Sequence, residues 1–133
     1  MRNDHRAPTA RLHEYELEGG WIVLAGRTET DNDCLSLKLA RPNDWWFHVR
    51  GMSSSHVILR AREGTEPDRE TLKRAAAIAA YHSKARHGGT VAVSCTRARF
   101  VTKPRGAKPG TVQIRRESVL KVRPGLPQEI PDV

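Results

Sequence analysis

Residues able to perform acid–base chemistry or to hold a metal ion are concentrated between Asp44 and His56. His48 and His56 titrate near neutral pH, and Asp44 and Ser55 supply a carboxylate and a hydroxyl. A metal site needs roughly three or four convergent ligands, and the sequence offers no HExxH or CxxC spacing to supply the rest. The serines at 53–55 lack the GxSxG turn of a serine nucleophile. Structural or RNA-contacting histidines are therefore favoured, and a small RNA-processing or nucleotide hydrolase built on His48, His56 and Asp44 is the alternative.

A nucleic-acid face is the stronger interpretation of the same segment. Alternate side chains of a strand point to opposite faces, so a strand over residues 44–50 places Asp44, Trp46, His48 and Arg50 together. An indole stacks on a base with about 1–3 kcal/mol, and a guanidinium binds phosphate or stacks as well. The alternative for Trp46 is a second core layer, since an indole buries a large apolar area wherever it lies.

The strand that follows is predicted to pair antiparallel with the first. If the turn between them centres on Met52, His48 faces His56 and Asp44 faces Arg60 across the pair. Both pairs then lie on the predicted polar side of the sheet. This register predicts one recognition face made from two neighbouring strands.

The positive charge of the chain is concentrated in one segment. Residues 97–123 contain nine Lys or Arg and one acid, a balance of +8 that equals the formal charge of all 133 residues. A patch of this kind attracts phosphate polyanions. The alternatives are a basic face that only contacts solvent and a surface that binds an acidic protein partner. Within it, Lys103, Arg105 and Lys108 lie on a loop whose prolines restrict the backbone and whose glycines let phosphates approach amide groups. The loop lacks the GK[ST] of a nucleotide P-loop, so a nucleotide triphosphatase is not supported.

The elements that must position these residues predict a single α+β domain of mostly antiparallel strands. Strands are expected over residues 15–17, 21–25, 44–50, 55–61, 90–96, 100–102, 111–114 and 119–122. A short helix, or else a strand, is expected from Asp31 to about Arg41. A long Ala-rich helix is expected from Pro67 to about Arg86, with Thr65 or Asp68 as its N-cap. Phe47 and its alternate neighbours are expected to face the core.

Composition bounds the remaining questions. A flexible segment over residues 1–12, a domain over 13–123 and a Pro-rich tail over 124–133 are expected. No apolar run suits a signal peptide or a membrane span, so a cytoplasmic protein without membrane contact is expected. Cys34 and Cys95 lie in apolar contexts without a CxxC partner and are expected to be buried thiols. No cofactor and no metal ion are expected.

Four motifs in this order resemble the NFACT RNA-binding domain. They are GRTETDND at 26–33, DWWFHVRGMSSSHVIL at 44–59, AAAIAAYHSKAR at 75–86 and FVTKPRGAKPGTV at 100–112. The resemblance extends from about Tyr15 to Arg123. That domain forms the carboxyl-terminal part of ribosome quality-control factors that bind large ribosomal subunits with trapped nascent chains. It also occurs as a short free-standing protein, which is the form that this chain resembles.

The resemblance implies a non-catalytic protein that binds tRNA or ribosomal RNA on the large ribosomal subunit during translation or ribosome quality control. The family's D-x-W-x-H motif falls on Asp44, Trp46 and His48, and its Ser-His falls on Ser55 and His56. Two serines, at 53–54, stand where the family usually has Pro-Gly. The residues expected to contact RNA, from the pattern and the resemblance together, are Asp44, Trp46, His48, Arg50, Ser55, His56, Arg60, Lys103, Arg105 and Lys108.

Overall fold

One antiparallel sheet organises the computed structural model, which describes residues 9–127. The strands in chain order are β1 (Leu12–Leu17), β2 (Trp21–Gly26), β3 (Trp45–Val49), β4 (Val57–Leu59), β5 (Val91–Arg97), β6 (Val101–Thr102), β7 (Gln113–Ile114) and β8 (Ser118–Val122). Six of them form the sheet in the order β1-β2-β4-β3-β5-β8, and β6 pairs with β7 in a separate hairpin. The helices are α1 (Glu29–Cys34), which continues as a π-helical turn over Leu35–Leu39, and α2 (Arg69–Tyr81). A 3₁₀ turn over Ala98–Phe100 precedes β6.

The architecture confirms the predicted α+β class. The expected flexible segment 1–12 and the expected tail 124–133 lie largely outside the described residues. Within the described residues, neither helix is long and apolar enough to cross a membrane. Neither cysteine is in a disulfide, and burial raises the pKa of the Cys95 thiol to about 12, whereas Cys34 is half-buried.

Both faces of the sheet are covered, and this differs from the predicted polar face. Helix α2 packs on the first face, where Phe47 is fully buried among the apolar side chains of the central strands. The π-helical turn and the β6–β7 hairpin cover the second face, where Leu35, Trp46, Ile58 and Val101 form another apolar cluster. A strand buried on both faces needs no polar alternation, so the polar residues of the second face are internal partners rather than surface groups.

The two helices begin at side-chain caps. The Asp68 carboxylate accepts the Thr71 amide at 2.8 Å and starts α2, as the sequence predicts. The helix ends at Tyr81 rather than Arg86, because His82 leaves helical geometry with ψ 43. Helix α1 confirms the predicted short helix over the alternative strand, and it begins earlier than expected, at a capping box that Thr28 forms with the third helical residue.

The register of β3 and β4 is the predicted one. Trp46 pairs with Ile58 and Phe47 with Val57, which centres the connection on Met52. His48 therefore faces His56, and their ring centroids lie 5.3 Å apart.

Candidate nucleic-acid interface

His56 forms a chain of hydrogen bonds beneath the β6–β7 hairpin. Its Nε2 lies 3.2 Å from the Gly110 carbonyl oxygen, which can only accept, so Nε2 carries the proton. Burial lowers the pKa of His56 to about 4, and in the neutral ring Nδ1 then accepts from the Ser36 hydroxyl at 2.8 Å. The same hydroxyl accepts from Trp46 Nε1 at 2.9 Å. These hydrogen bonds fix one tautomer of His56 and connect the sheet to the β6–β7 hairpin.

The GRTETDND segment at 26–33 contacts the backbone of His56. The His56 amide donates to Asn32 Oδ1 at 3.0 Å, and Asn32 belongs to α1. A Cβ at residue 26 would clash with that same oxygen, so Gly26 is needed for the close approach of α1 to β2. The backbone spacing between these elements therefore depends on glycine at 26.

The expected exposure of Trp46 and His56 is wrong. Trp46 is 2% exposed and His56 is 1% exposed, because the π-helical turn and the hairpin cover them. A buried indole offers no ring face to a base. Trp46 is therefore placed as the second core layer that the sequence left as the alternative.

Asp44 and Arg60 form an internal ion pair rather than an exposed face. Asp44 is 1% exposed, and its Oδ2 lies 2.8 Å from Arg60 Nη1. The two carboxylate oxygens also accept the amides of Arg41 at 2.9 Å and Ala61 at 2.8 Å, and Arg60 donates to the Leu39 carbonyl. The predicted facing of Asp44 and Arg60 is thus confirmed, but the carboxylate bonds away from the histidines. Asp44 therefore orients neither His48 nor His56.

Lys103 anchors the hairpin on α1. Its Nζ lies 3.1 Å from Asp33 Oδ2 and donates to the carbonyls of Lys108 at 2.6 Å and Thr111 at 3.1 Å. Asp33 Oδ1 accepts the Gly110 amide at 3.0 Å, so one carboxylate holds both ends of the loop. Two hydrogen bonds and one ion pair thus hold the Lys103 ammonium against the fold. The structure therefore gives Lys103 a role in holding the loop, and its expected phosphate contact stays a prediction.

The other cations of this region are exposed and have no acidic partner. Residues 99–116, which we call the basic hairpin, contain six Lys or Arg and no Asp or Glu. None of the ion pairs within residues 9–127 involves Arg105, Lys108, Arg115 or Arg116. Cations without neutralising partners raise the local potential and attract polyanions.

Sequence reasoning missed the base of the basic hairpin. The register of β6 and β7 continues so that the Arg115 amide donates to the Phe100 carbonyl at 3.1 Å. Three guanidinium carbons, those of Arg99, Arg115 and Arg116, lie 5.0, 5.3 and 5.4 Å from the centre of the Phe100 ring. The signal in the sequence is the position of these arginines: Arg99 directly precedes the predicted strand 100–102, and Arg115 and Arg116 directly follow the predicted strand 111–114.

A cavity of about 260 Å³ separates the basic hairpin from the sheet beside His48. The imidazole of His48 stacks on Trp46 with centroids 5.8 Å apart, and burial lowers its pKa. The remaining walls are His56, Ser94 and four hairpin residues, Gly110, Thr111, Val112 and Ile114. His48 is thus the one motif residue of β3 and β4 that lines a cavity while it remains half-exposed.

The β3–β4 connection carries the other expected contacts. Arg50 is exposed, and its Nε lies 3.3 Å from the carboxylate of Glu117, which also accepts a hydrogen bond from Ser94. Ser54 Oγ accepts an amide of β3 at 3.2 Å, and Ser55 Oγ donates to the carbonyl that ends β2 at 2.7 Å. These serines shape the connection by binding backbone groups.

A separate cleft of about 460 Å³ lies where the end of α2 meets β1, β2 and the serines at 53–55. The Tyr15 hydroxyl lies 2.6 Å from His82 Nε2, and His13 stacks on His82 with centroids 4.5 Å apart. Burial, with smaller contributions from His13 and Arg86, lowers the pKa of His82 to about 4. Burial also lowers the pKa of His13, so both imidazoles are mainly neutral at pH 7.

Comparison with known proteins identifies the type of domain. The protein family described as the NFACT protein RNA binding domain matches this chain over residues 11–116. That match includes the basic hairpin and every strand except β8. The resemblance drawn from four motifs is thereby confirmed.

The curated relatives are longer proteins. The chain is 39% identical to the Rqc2 homolog RqcH of Bacillus subtilis over 113 residues, which is 85% of this chain and 19% of that protein. It is 38% identical to the Rqc2 homolog RqcH of Streptococcus suis over 107 residues, again 19% of that protein. The chain thus spans about a fifth of the length of these relatives.

A solved structure shares the fold. It is the C-terminal part of the fibronectin/fibrinogen-binding protein from Streptococcus suis, at 34% sequence identity and a TM-score of 0.80. The match covers 93% of this chain and 49% of that chain.

Proposed function

The chain belongs to the family of NFACT RNA-binding domains, and from this premise we propose that it binds structured RNA through its basic hairpin. The proposed ligand is tRNA or ribosomal RNA on the large ribosomal subunit, and the proposed setting is ribosome quality control in the cytoplasm. The observation that carries the proposal is the set of exposed hairpin cations, Arg105, Lys108, Arg115 and Arg116, that have no acidic partner within residues 9–127.

The residues of the D-x-W-x-H and Ser-His motifs divide into two groups under this proposal. Asp44, Trp46 and His56 are buried, and Arg60 is paired with the buried Asp44. With Lys103, these residues position the hairpin instead of contacting RNA. Three residues at the ends of the central strands β3 and β4, His48, Arg50 and Ser55, keep partly open side chains and remain proposed contacts. The motif therefore acts mainly as a support, and the hairpin supplies the charge.

Salt dependence of RNA binding tests the proposal. If the hairpin makes about four phosphate contacts, log K falls against log salt with a slope of roughly −3 to −4. The double variant Arg105→Ala/Lys108→Ala should flatten the slope by about one unit per lost contact. It should also lower the affinity for tRNA and for ribosomal RNA fragments by the same factor. Fluorescence anisotropy with labelled tRNA over a series of salt concentrations measures both quantities.

A matched control removes the same charge elsewhere. Arg69 and Lys73 lie on α2, on the other side of the sheet, and form no ion pair within the described residues. Arg69→Ala/Lys73→Ala should keep the wild-type slope, because its cations are outside the proposed interface. Equal slopes for the two double variants would show that net charge, and not the hairpin, determines binding.

We also propose that the chain binds RNA without catalysis. The arrangement of Asp44 on Arg60, away from His48 and His56, supports this, since no carboxylate among residues 9–127 hydrogen-bonds either imidazole to orient it. Incubation of labelled tRNA with the protein, analysed on a denaturing gel, should show no cleavage. Cleavage that disappears in His48→Ala would overturn the proposal in favour of a hydrolase.

A further inference from the structure

Three arginines converge on one phenyl ring at the base of the basic hairpin. The guanidinium carbons of Arg99, Arg115 and Arg116 lie 5.0, 5.3 and 5.4 Å from the Phe100 ring centre. Each distance is within the range of a cation–π contact, but the three like charges repel one another. Arg99 donates to the neutral amide oxygen of Asn43, and none of the three has an acidic partner within residues 9–127. The cluster therefore lacks the anion that would neutralise it.

The backbone at this place is strained. Arg116 has φ 55 and is the only non-glycine residue with positive φ in the described part of the chain. Thr96, which is 2% exposed, donates from Oγ1 to the Arg115 carbonyl at 2.6 Å, and the same oxygen lies 3.2 Å from the Arg116 carbonyl. A buried hydroxyl thus contacts the carbonyls of both residues, and one of them, Arg116, has a conformation that glycine would adopt more readily. Strain of this kind persists where surrounding contacts enforce it, and it is concentrated at ligand sites.

A purely structural role accounts for only part of this arrangement. One arginine packed on Phe100 would cover the ring and gain the cation–π attraction. The second and third add repulsion, and the left-handed conformation of Arg116 adds strain. A ligand that carries negative charge and a flat ring would use every one of these groups.

We propose that Phe100 with Arg99, Arg115 and Arg116 forms a pocket for one unpaired nucleotide of the bound RNA. The base stacks on a guanidinium that is backed by Phe100, and the phosphates on either side bind the other guanidiniums. Guanidinium groups match both partners, since they stack on bases and bind phosphate oxygens in a bidentate manner. A base paired within an A-form helix presents no free face, so the pocket selects a bulged or loop nucleotide. This inference rests on the proposed RNA-binding function and assigns its site of selectivity.

Two RNA hairpins that differ in one bulged nucleotide test the pocket. Wild-type protein should bind the bulged RNA about tenfold more tightly than the same hairpin without the bulge, as expected for one stacked base. Arg116→Gly removes the guanidinium and suits positive φ, so it should abolish the preference while the melting temperature stays equal or rises. Phe100→Leu keeps an apolar side chain without the aromatic face and should also reduce the preference to near unity.

A substitution elsewhere in the basic hairpin of the protein separates the pocket from general RNA binding. Arg105→Ala should weaken the binding of both RNAs by the same factor and keep the tenfold preference, because it removes only a phosphate contact. If wild-type protein binds neither RNA, the proposed function fails and the pocket with it. If wild-type protein binds both and Arg116→Gly keeps the bulge preference, the pocket is refuted while RNA binding stands. A lower melting temperature in Arg116→Gly with unchanged preference would assign the cluster to structure alone.

Discussion

Protonation of His56 should destabilise the domain in mildly acidic solution. Its two ring nitrogens bind Ser36 and the Gly110 carbonyl, and the side chain is buried. Burial is the main reason that its pKa is lowered, and His48 and Lys103 lower it further, against the opposing Gly110 carbonyl and Asp33. A charged ring would place a second N–H against a hydroxyl that already bonds Trp46 and would add charge beside Lys103.

The magnitude follows from the two pKa values. The ordinary pKa of 6.5 in the unfolded chain against about 4 in the fold corresponds to about 3 kcal/mol, at about 1.4 kcal/mol for each pH unit. Because the unfolded chain binds the proton first, this stabilisation is fully present above pH 6.5, decreases as the pH falls and is absent below about 4. A loss of about 3 kcal/mol is a large part of the free energy of unfolding of a small domain, about 5–15 kcal/mol.

Urea unfolding between pH 7 and pH 4 measures the effect. His82 has its pKa lowered to about 4 as well, so it acts in the same direction and must be removed for a clean comparison. The His82→Gln variant removes that contribution, and the further substitution His56→Gln should remove most of the remaining dependence in this window. The part that stays belongs to His13 and His48, whose pKa values burial also lowers. Asp31 and Asp68 have pKa values lowered below 3.8 by hydrogen bonds, so their contributions disappear only at lower pH. Unchanged stability of His82→Gln down to pH 4.5 would refute the reasoning.

Three further substitutions test the two faces of the sheet and the hairpin anchor. Phe47→Ala should lower the free energy of unfolding by about 3–5 kcal/mol, because the ring is fully buried; a loss under about 1 kcal/mol in a denaturant titration would be inconsistent with that packing. Trp46→Phe removes the donor to Ser36 and should cost about 1–3 kcal/mol without changing the salt slope of RNA binding; a stable variant with weak RNA binding would contradict a core role. Asp33→Ala frees the loop and should speed hydrogen exchange at the Gly110 amide by about tenfold or more; retained protection would mean that other contacts hold the loop.

Local patterns in the sequence were sufficient for the elements and for one register. The Asp68 cap and the alanine-rich run predict α2, and symmetry of the connection about Met52 predicts which residues of β3 and β4 face one another. These signals depend on neighbours within a few residues, and such neighbours are visible in a sequence.

The burial of Trp46 and His56 could not be read from the same patterns. Their partners Leu35, Ser36, Val101 and Gly110 come from distant segments that fold over the second face of the sheet. Alternation of polar and apolar side chains predicts an open face only when nothing covers it. The covering is a tertiary event, so strand periodicity carries no sign of it.

The roles of the hairpin cations were equally hidden. The sequence does not distinguish the three basic residues of the loop, Lys103, Arg105 and Lys108. In the described part of the chain only Lys103 pairs with a carboxylate, that of Asp33 in α1. A contact over such a separation in sequence is decided by how the hairpin docks. The sequence therefore predicts the amount of charge on the loop, and the fold decides which part of that charge remains free for RNA.

Mapping of RNA adducts on the protein tests the central claim most directly. Ultraviolet crosslinking of the purified chain to tRNA and to ribosomal RNA, followed by mass spectrometry of the peptides, locates the contacts without any substitution. We expect adducts within residues 99–116 and at the end of the central strand β3, near His48 and Arg50. Adducts confined to α2, or found equally over all basic surfaces, would contradict an interface built on the basic hairpin.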